Sequence, residues 1–178
     1  IAIAMSFAAT AQVTGTATQI VEVTIPEYAM IELETGTLSF NSGQAAPSNA
    51  GDAFALSGTT ASDFLYMSTM IPETGTVGTI TVTLSGLRAG LALTMAPTLA
   101  AGATGDIGTV HNDFSGGQTA LTNGNAKTVI ESIGTAYTGR TANTSGYKLD
   151  YVLAIADQTL LTEDKTTGNT TLVYTVAN

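Results

Sequence analysis

Residues 79–85 read TITVTLS. Ile80, Val82 and Leu84 take every second position, with Thr79, Thr81 and Thr83 between them. Successive side chains of an extended chain point to opposite faces. This stretch therefore offers an aliphatic face to a core and a hydroxyl face to solvent. Valine, isoleucine and threonine all suit a pleated surface. GLRAG at 86–90 turns the chain, and LALTM at 91–95 returns with Leu91, Leu93 and Met95 in alternation. Two such runs about five residues apart, with glycine between, predict a hairpin.

Outward from this point the same two-residue period recurs. QIVEVTI at 19–25 puts Val21, Val23 and Ile25 on one face, and is the first expected body strand. Pro26 then interrupts, as proline does at a sheet edge or a change of sheet. Extended character continues through Ile31 and Leu33, then Leu38 and Phe40. DAFALS (52–57), DFLYMST (63–69), AKTVIESI (126–133), YKLDYVLAI (147–155) and TTLVYTV (170–176) complete the set. Residues 41–52, 71–78 and 137–146 are loops by composition, and 98–125 has no clear period. No segment holds a helical repeat of 3.6. About nine strands at this turn spacing predict an all-β fold, an immunoglobulin-like or jelly-roll-type β-sandwich. One domain is expected over 19–178, preceded by an N-terminal strand and tether over 1–18.

Composition narrows the function. The 178 residues include no cysteine, which excludes a disulfide framework, a thiolate metal site and a cysteine nucleophile. Fourteen acidic residues against five basic ones leave a net charge of −9. No basic stripe is present, so neither nucleic acid nor an anionic membrane surface is an expected partner. Only 11% of the residues are charged, and the mean hydropathy is +0.26. No apolar run reaches the roughly 18 residues of a membrane helix, so no membrane insertion is expected of the mature form. A weakly charged, apolar chain of this kind is expected to bury surface by assembling.

Chemical motifs are sparse. His111, the single histidine, lies in the polar stretch TVHNDFSGG and is read as a solvated loop residue. No G-x-S-x-G elbow supports a serine nucleophile. The carboxylates are scattered and there is no tryptophan, which speaks against glycoside chemistry. Calcium wants oxygen ligands, and Asp106, Asn112 and Asp113 are the weak candidates, with Asp157, Glu163 and Asp164 in a second acidic loop. Neither loop follows the D-x-[DN]-x-[DN]-G pattern. No catalytic residue, metal or cofactor is assigned, and no enzyme activity is expected. Asn143 and Asn169 stand in N-x-[ST] sequons.

The N-terminus, IAIAMSF, alternates large and small: Ile1, Ile3, Met5 and Phe7 against Ala2, Ala4 and Ser6. One reading makes it a donor strand that completes a neighbouring copy by β-augmentation, four side chains filling four pockets. Ile80, Val82, Leu84, Leu172, Tyr174 and Val176 are then the candidates for the acceptor groove. A head-to-tail contact does not close on itself, and repetition gives a filament, a homopolymer of identical subunits. The other reading takes 1–11 as the remnant of a signal peptide with Ala9 and Ala11 before the cut. The body is then a monomeric secreted binding module, with ligand loops at 41–52, 98–125 and 138–146. Either reading places the protein outside the cell.

The alternating N-terminal extension, the Thr/Gly-rich all-β body and the closing LVYTVAN resemble donor-strand-exchange pilins, with an architecture similar to chaperone–usher and archaeal bundling pili. That resemblance implies a structural subunit of an extracellular fibre. QVTGTATQIVEVTIPE and IGTAYTGRTANTSGYKLDYVLAI resemble uncharacterised secreted β proteins of Bacteroidota, which imply no activity.

Overall fold

A computed structural model describes residues 19–40, 43–45, 49–53, 55–57, 59–71, 78–99, 101–161 and 169–177. The strands in chain order are β1 (Tyr28–Leu33), β2 (Gly43–Ala45), β3 (Ala55–Ser57), β4 (Thr60–Met70), β5 (Gly78–Ser85), β6 (Leu91–Leu99) and β7 (Thr104–Gly105). They continue with β8 (Thr109–Val110), β9 (Thr119–Leu121), β10 (Ala126–Ile133), β11 (Ala136–Tyr137), β12 (Tyr147–Ile155) and β13 (Thr171–Ala177). Two single 3₁₀ turns, at 112–114 and 158–160, are the helical content among the described residues. The region 98–125, which has no readable period, holds the short strands β7, β8 and β9.

The chain is mostly β, in two antiparallel sheets around one core. The larger sheet has seven strands, in the order β7-β11-β4-β12-β6-β9, with β1 also on β4. The smaller runs β13-β5-β10-β8, and β2 and β3 form a separate pair. Ile80, Val82, Leu84, Val129, Ile130 and Ile133 from the smaller sheet meet Leu65, Met67, Leu93, Met95, Leu149 and Tyr151 from the larger. Burial of such side chains is the main stabilising term, roughly 1.5–3 kcal/mol each.

The predicted hairpin is not formed. β5 pairs with β10 and β13, whereas β6 pairs with β12 and β9 in the other sheet. Residues 86–90 are thus a corner between layers. Alternation cannot separate these cases, because a strand shows one face to the core whether its successor lies beside it or across from it. The corner is fixed by Gly86 and Gly90, with φ of +75° and +83°. A Cβ on Gly86 would stand 2.6 Å from the Asn169 carbonyl oxygen, and one on Gly90 2.5 Å from that of Asp157. The Asn123 side chain closes the corner: Leu87 N–H donates to its Oδ1 (3.0 Å) and its Nδ2 donates to the Leu87 carbonyl (2.8 Å).

A second expectation also fails. QIVEVTI is not a body strand: residues 19–27 are in no ladder, and Ile20, Val21, Val23 and Ile25 are 82, 75, 76 and 66% exposed. The physical reason lies at Pro26. It has no N–H to donate, so the ladder of β1 does not extend back through it.

Candidate functional site

Among the described residues the two layers do not close on every side. Among the described residues β1 is bonded to β4 alone, and β13 to β5 alone. These edge strands belong to different sheets but approach one another along the same flank, with Cα atoms within 8 Å. A cleft of about 480 Å³ opens beside them. Leu33, Leu38, Phe40 and Leu172 give it apolar walls, and Asp63, Tyr151 and Tyr174 also line it. Leu33 and Leu172 come from the core-facing positions of the two edges. Leu38 and Phe40 come from the strandless run after β1. Each of these four is only partly buried, although all pack on the core.

The polar groups here are held firmly. Asp63 is buried, and its Oδ1 accepts from the Thr35 N–H (3.1 Å) and the Phe64 N–H (2.8 Å). The Tyr151 and Tyr174 hydroxyls meet at 2.5 Å and tie the two sheets together. Tyr174 also donates to Met95 Sδ at 3.1 Å. Burial pushes both phenols well above the usual tyrosine range, and the nearby Asp63 charge acts in the same direction. They stay neutral at any physiological pH and serve as a fixed brace.

A separate groove of about 580 Å³ lies on the outer face of the larger sheet. Met30, Ser68 and Tyr137 stand opposite one another on β1, β4 and β11, with Tyr28 and Tyr66 beside them. Tyr66 donates to Glu34 Oε2 at 2.8 Å. Burial first, and then the Glu34 carboxylate, push the Tyr66 phenol up to about 12. Arg140 pairs with Glu32, and the Asn143 N–H donates to Glu34 Oε2 (3.1 Å).

The residues singled out from sequence divide. Leu172 and Tyr174 line the cleft, while Val176 packs on the core without lining it. Ile80, Val82 and Leu84 sit in the closed core, because β5 is bonded on both sides and has no edge to offer. Ile1, Ile3, Met5 and Phe7 lie outside the described residues, as do Glu163 and Asp164. Asp106 and Asp113 are not brought into a metal-holding group, and no set of three or more acidic or histidine ligands occurs among the described residues. His111 caps the 3₁₀ turn at 112–114, its Nδ1 accepting from the Asp113 N–H at 3.2 Å. Its Nε2 lies 3.6 Å from Glu131 Oε2, and it lines neither cavity.

Sequence reasoning missed Asp63, Phe40 and Tyr151 in the cleft and Tyr28 and Tyr137 in the groove. Asp63 lies in phase with the core residues Leu65 and Met67, whereas the sequence groups Phe64 with Tyr66 on one face of this stretch. No described helix is long and apolar enough to cross a membrane. Comparison with protein-family models, with characterised proteins and with solved structures found no match for this chain.

Proposed function

We propose that this chain is the structural subunit of an extracellular filament, a sandwich of the immunoglobulin-like or jelly-roll type that polymerises head to tail by donor-strand exchange. A strand from the N-terminal part of one copy fills the open flank of the next. The observation that carries this reading is the cleft between β1 and β13. Two edges that are unpaired among the described residues border it, and partly buried apolar side chains line it. Exposed edges of this kind are a liability that proteins normally charge, twist or cover. β13 carries no charged residue at all. An added strand would satisfy its backbone groups and complete the core together.

The test is assembly of the full chain, followed by negative-stain electron microscopy. Fibres are expected, and Leu172→Asp, which charges the cleft wall, is expected to shorten or abolish them while circular dichroism stays that of a β protein. A full chain that is monomeric at every concentration, or a folded Leu172→Asp protein with fibres of normal length, overturns the reading.

The groove of Tyr28, Met30 and Tyr137 favours a second reading, a monomeric surface-binding module. It gathers tyrosines, a methionine and an arginine, residue types enriched at recognition surfaces. Loss of binding to the producing cell's surroundings on Tyr137→Ala, with a strictly monomeric wild type, would favour it.

A further inference from the structure

Two alternating segments precede β1: residues 1–7, which lie outside the described residues, and residues 20–25, which the structure describes. Residues 8–18, AATAQVTGTAT, are small and suited to a tether. Residues 20–25, IVEVTI, carry four β-branched aliphatics and no glycine. Such a composition favours an extended, half-buried strand. Yet all four aliphatic side chains face solvent, and no ladder receives the backbone. A segment of strand-like composition that exposes so much apolar surface is one in want of a sheet.

The open flank has matching dimensions. β13 has seven residues, and so does the stretch from Gln19 to Ile25. Seven extended residues span roughly 23 Å. Val21, Val23 and Ile25 share one face and would meet the apolar walls set by Leu33, Leu38, Phe40 and Leu172. Ile20, Glu22 and Thr24 fall on the other face. Pro26 keeps the stretch from lengthening β1 of its own sheet, and its aliphatic side chains stay exposed.

Resting on the reading above, we infer that residues 20–25 of one copy form the strand that fills the cleft between β1 and β13 of a second copy. Ile1, Ile3, Met5 and Phe7 are then dispensable for assembly. The occupant is a second copy of this chain, and the contact is heterologous, so it propagates.

Three proteins decide the matter: the full chain, a chain beginning at Gln12, and full-length Val23→Asp. Val23 is exposed in the subunit, so the charge leaves the single body folded, which circular dichroism checks. The full chain and the Gln12 chain are expected to give fibres of equal length, and Val23→Asp to give none. The absence of native cysteine allows a background-free second measurement. Val23→Cys with Thr175→Cys, treated with a short bis-maleimide, is expected to yield a ladder of covalent oligomers. If the Gln12 chain loses its fibres while Val23→Asp keeps them, the assignment to 20–25 falls and a donor within 1–11 stands. A bis-maleimide product confined to the monomer means that the stretch closes its own cleft, which overturns the inference. A full chain that never assembles overturns the filament with it.

Discussion

TITVTLS and QIVEVTI are both seven residues long, and both alternate aliphatic with polar side chains. Their fates are opposite. Ile80, Val82 and Leu84 are at most 1% exposed, in a strand bonded on both sides. Val21, Val23 and Ile25 are at least 66% exposed, in a stretch bonded on neither. Alternation therefore states what a segment needs, a sheet with one buried face, but not which molecule supplies it. The closed flank of the sandwich answers that need within one chain; among the described residues, the flank between β1 and β13 leaves it unanswered.

The sharpest way to break the comparison is to place the same charge in both stretches. Val82→Asp drives an unpaired carboxylate into the core and is expected to cost more than about 4 kcal/mol, enough to unfold a domain of ordinary stability. Val23→Asp in the dissociated subunit is expected to change stability by less than about 0.5 kcal/mol. Urea denaturation of monomeric protein checks both. A large loss from Val23→Asp would mean that the stretch is buried within its own subunit.

The closed side is also expected to answer to pH. The Tyr147 hydroxyl donates to the carbonyls of Ile107 (3.0 Å) and Gly108 (3.3 Å), and burial pushes its phenol from 10 up to about 12. The fold holds the neutral form, and the unfolded chain ionises first. Stability from this group is complete below pH 10 and is lost as pH climbs towards 12, by about 2–3 kcal/mol at the limit. Thermal melts across that window are expected to fall in Tm, and Tyr147→Phe to flatten part of the fall. Tyr66, also raised, contributes in the same direction.

The layers were legible in the sequence, and their connections were not. YKLDYVLAI, TITVTLS and LALTM were readable because one face of each is wholly apolar, and a two-residue period leaves no other use for it. That β5 and β6 lie in different sheets depended on Gly86 and Gly90, and a corner and a hairpin both ask for such glycines. Leu172 and Tyr174, candidates because β13 repeats the strand pattern, line the cleft. Asp63 and Phe40 were not candidates, because the cleft gathers them from a strand and a strandless run far apart in the chain. Tyr28 and Tyr137 come together only through β4, which pairs with both β1 and β11.

A milder effect is expected where the two sheets are tied. Tyr174→Phe removes the partner of the Tyr151 hydroxyl and the donor to Met95, with little change in volume. A buried hydroxyl left without its partner costs about 1–2 kcal/mol. If strand addition covers this end of the cleft, the loss is expected to be smaller in fibres than in the dissociated subunit. Equal losses in the two states would place the brace on the closed side of the comparison.

The smallest effect is expected on the outer face. Arg140 and Glu32 pair there with side chains 70 and 54% exposed. An exposed pair gains little in water, because solvent screens the attraction and two long side chains lose freedom to make it. Arg140→Ala is expected to shift stability by less than about 0.5 kcal/mol, and by nothing measurable in high salt. Lys148 and Asp150 form the useful contrast. Asp150 also accepts from the Ser62 hydroxyl at 2.5 Å. Partial burial works against its charge, yet the bonds from Lys148 and Ser62 hold its carboxyl below the usual range. Lys148→Ala is therefore expected to cost more than Arg140→Ala in the same denaturation experiment. Equal costs would show that strand position, not the second hydrogen bond, sets what an ion pair on this face contributes.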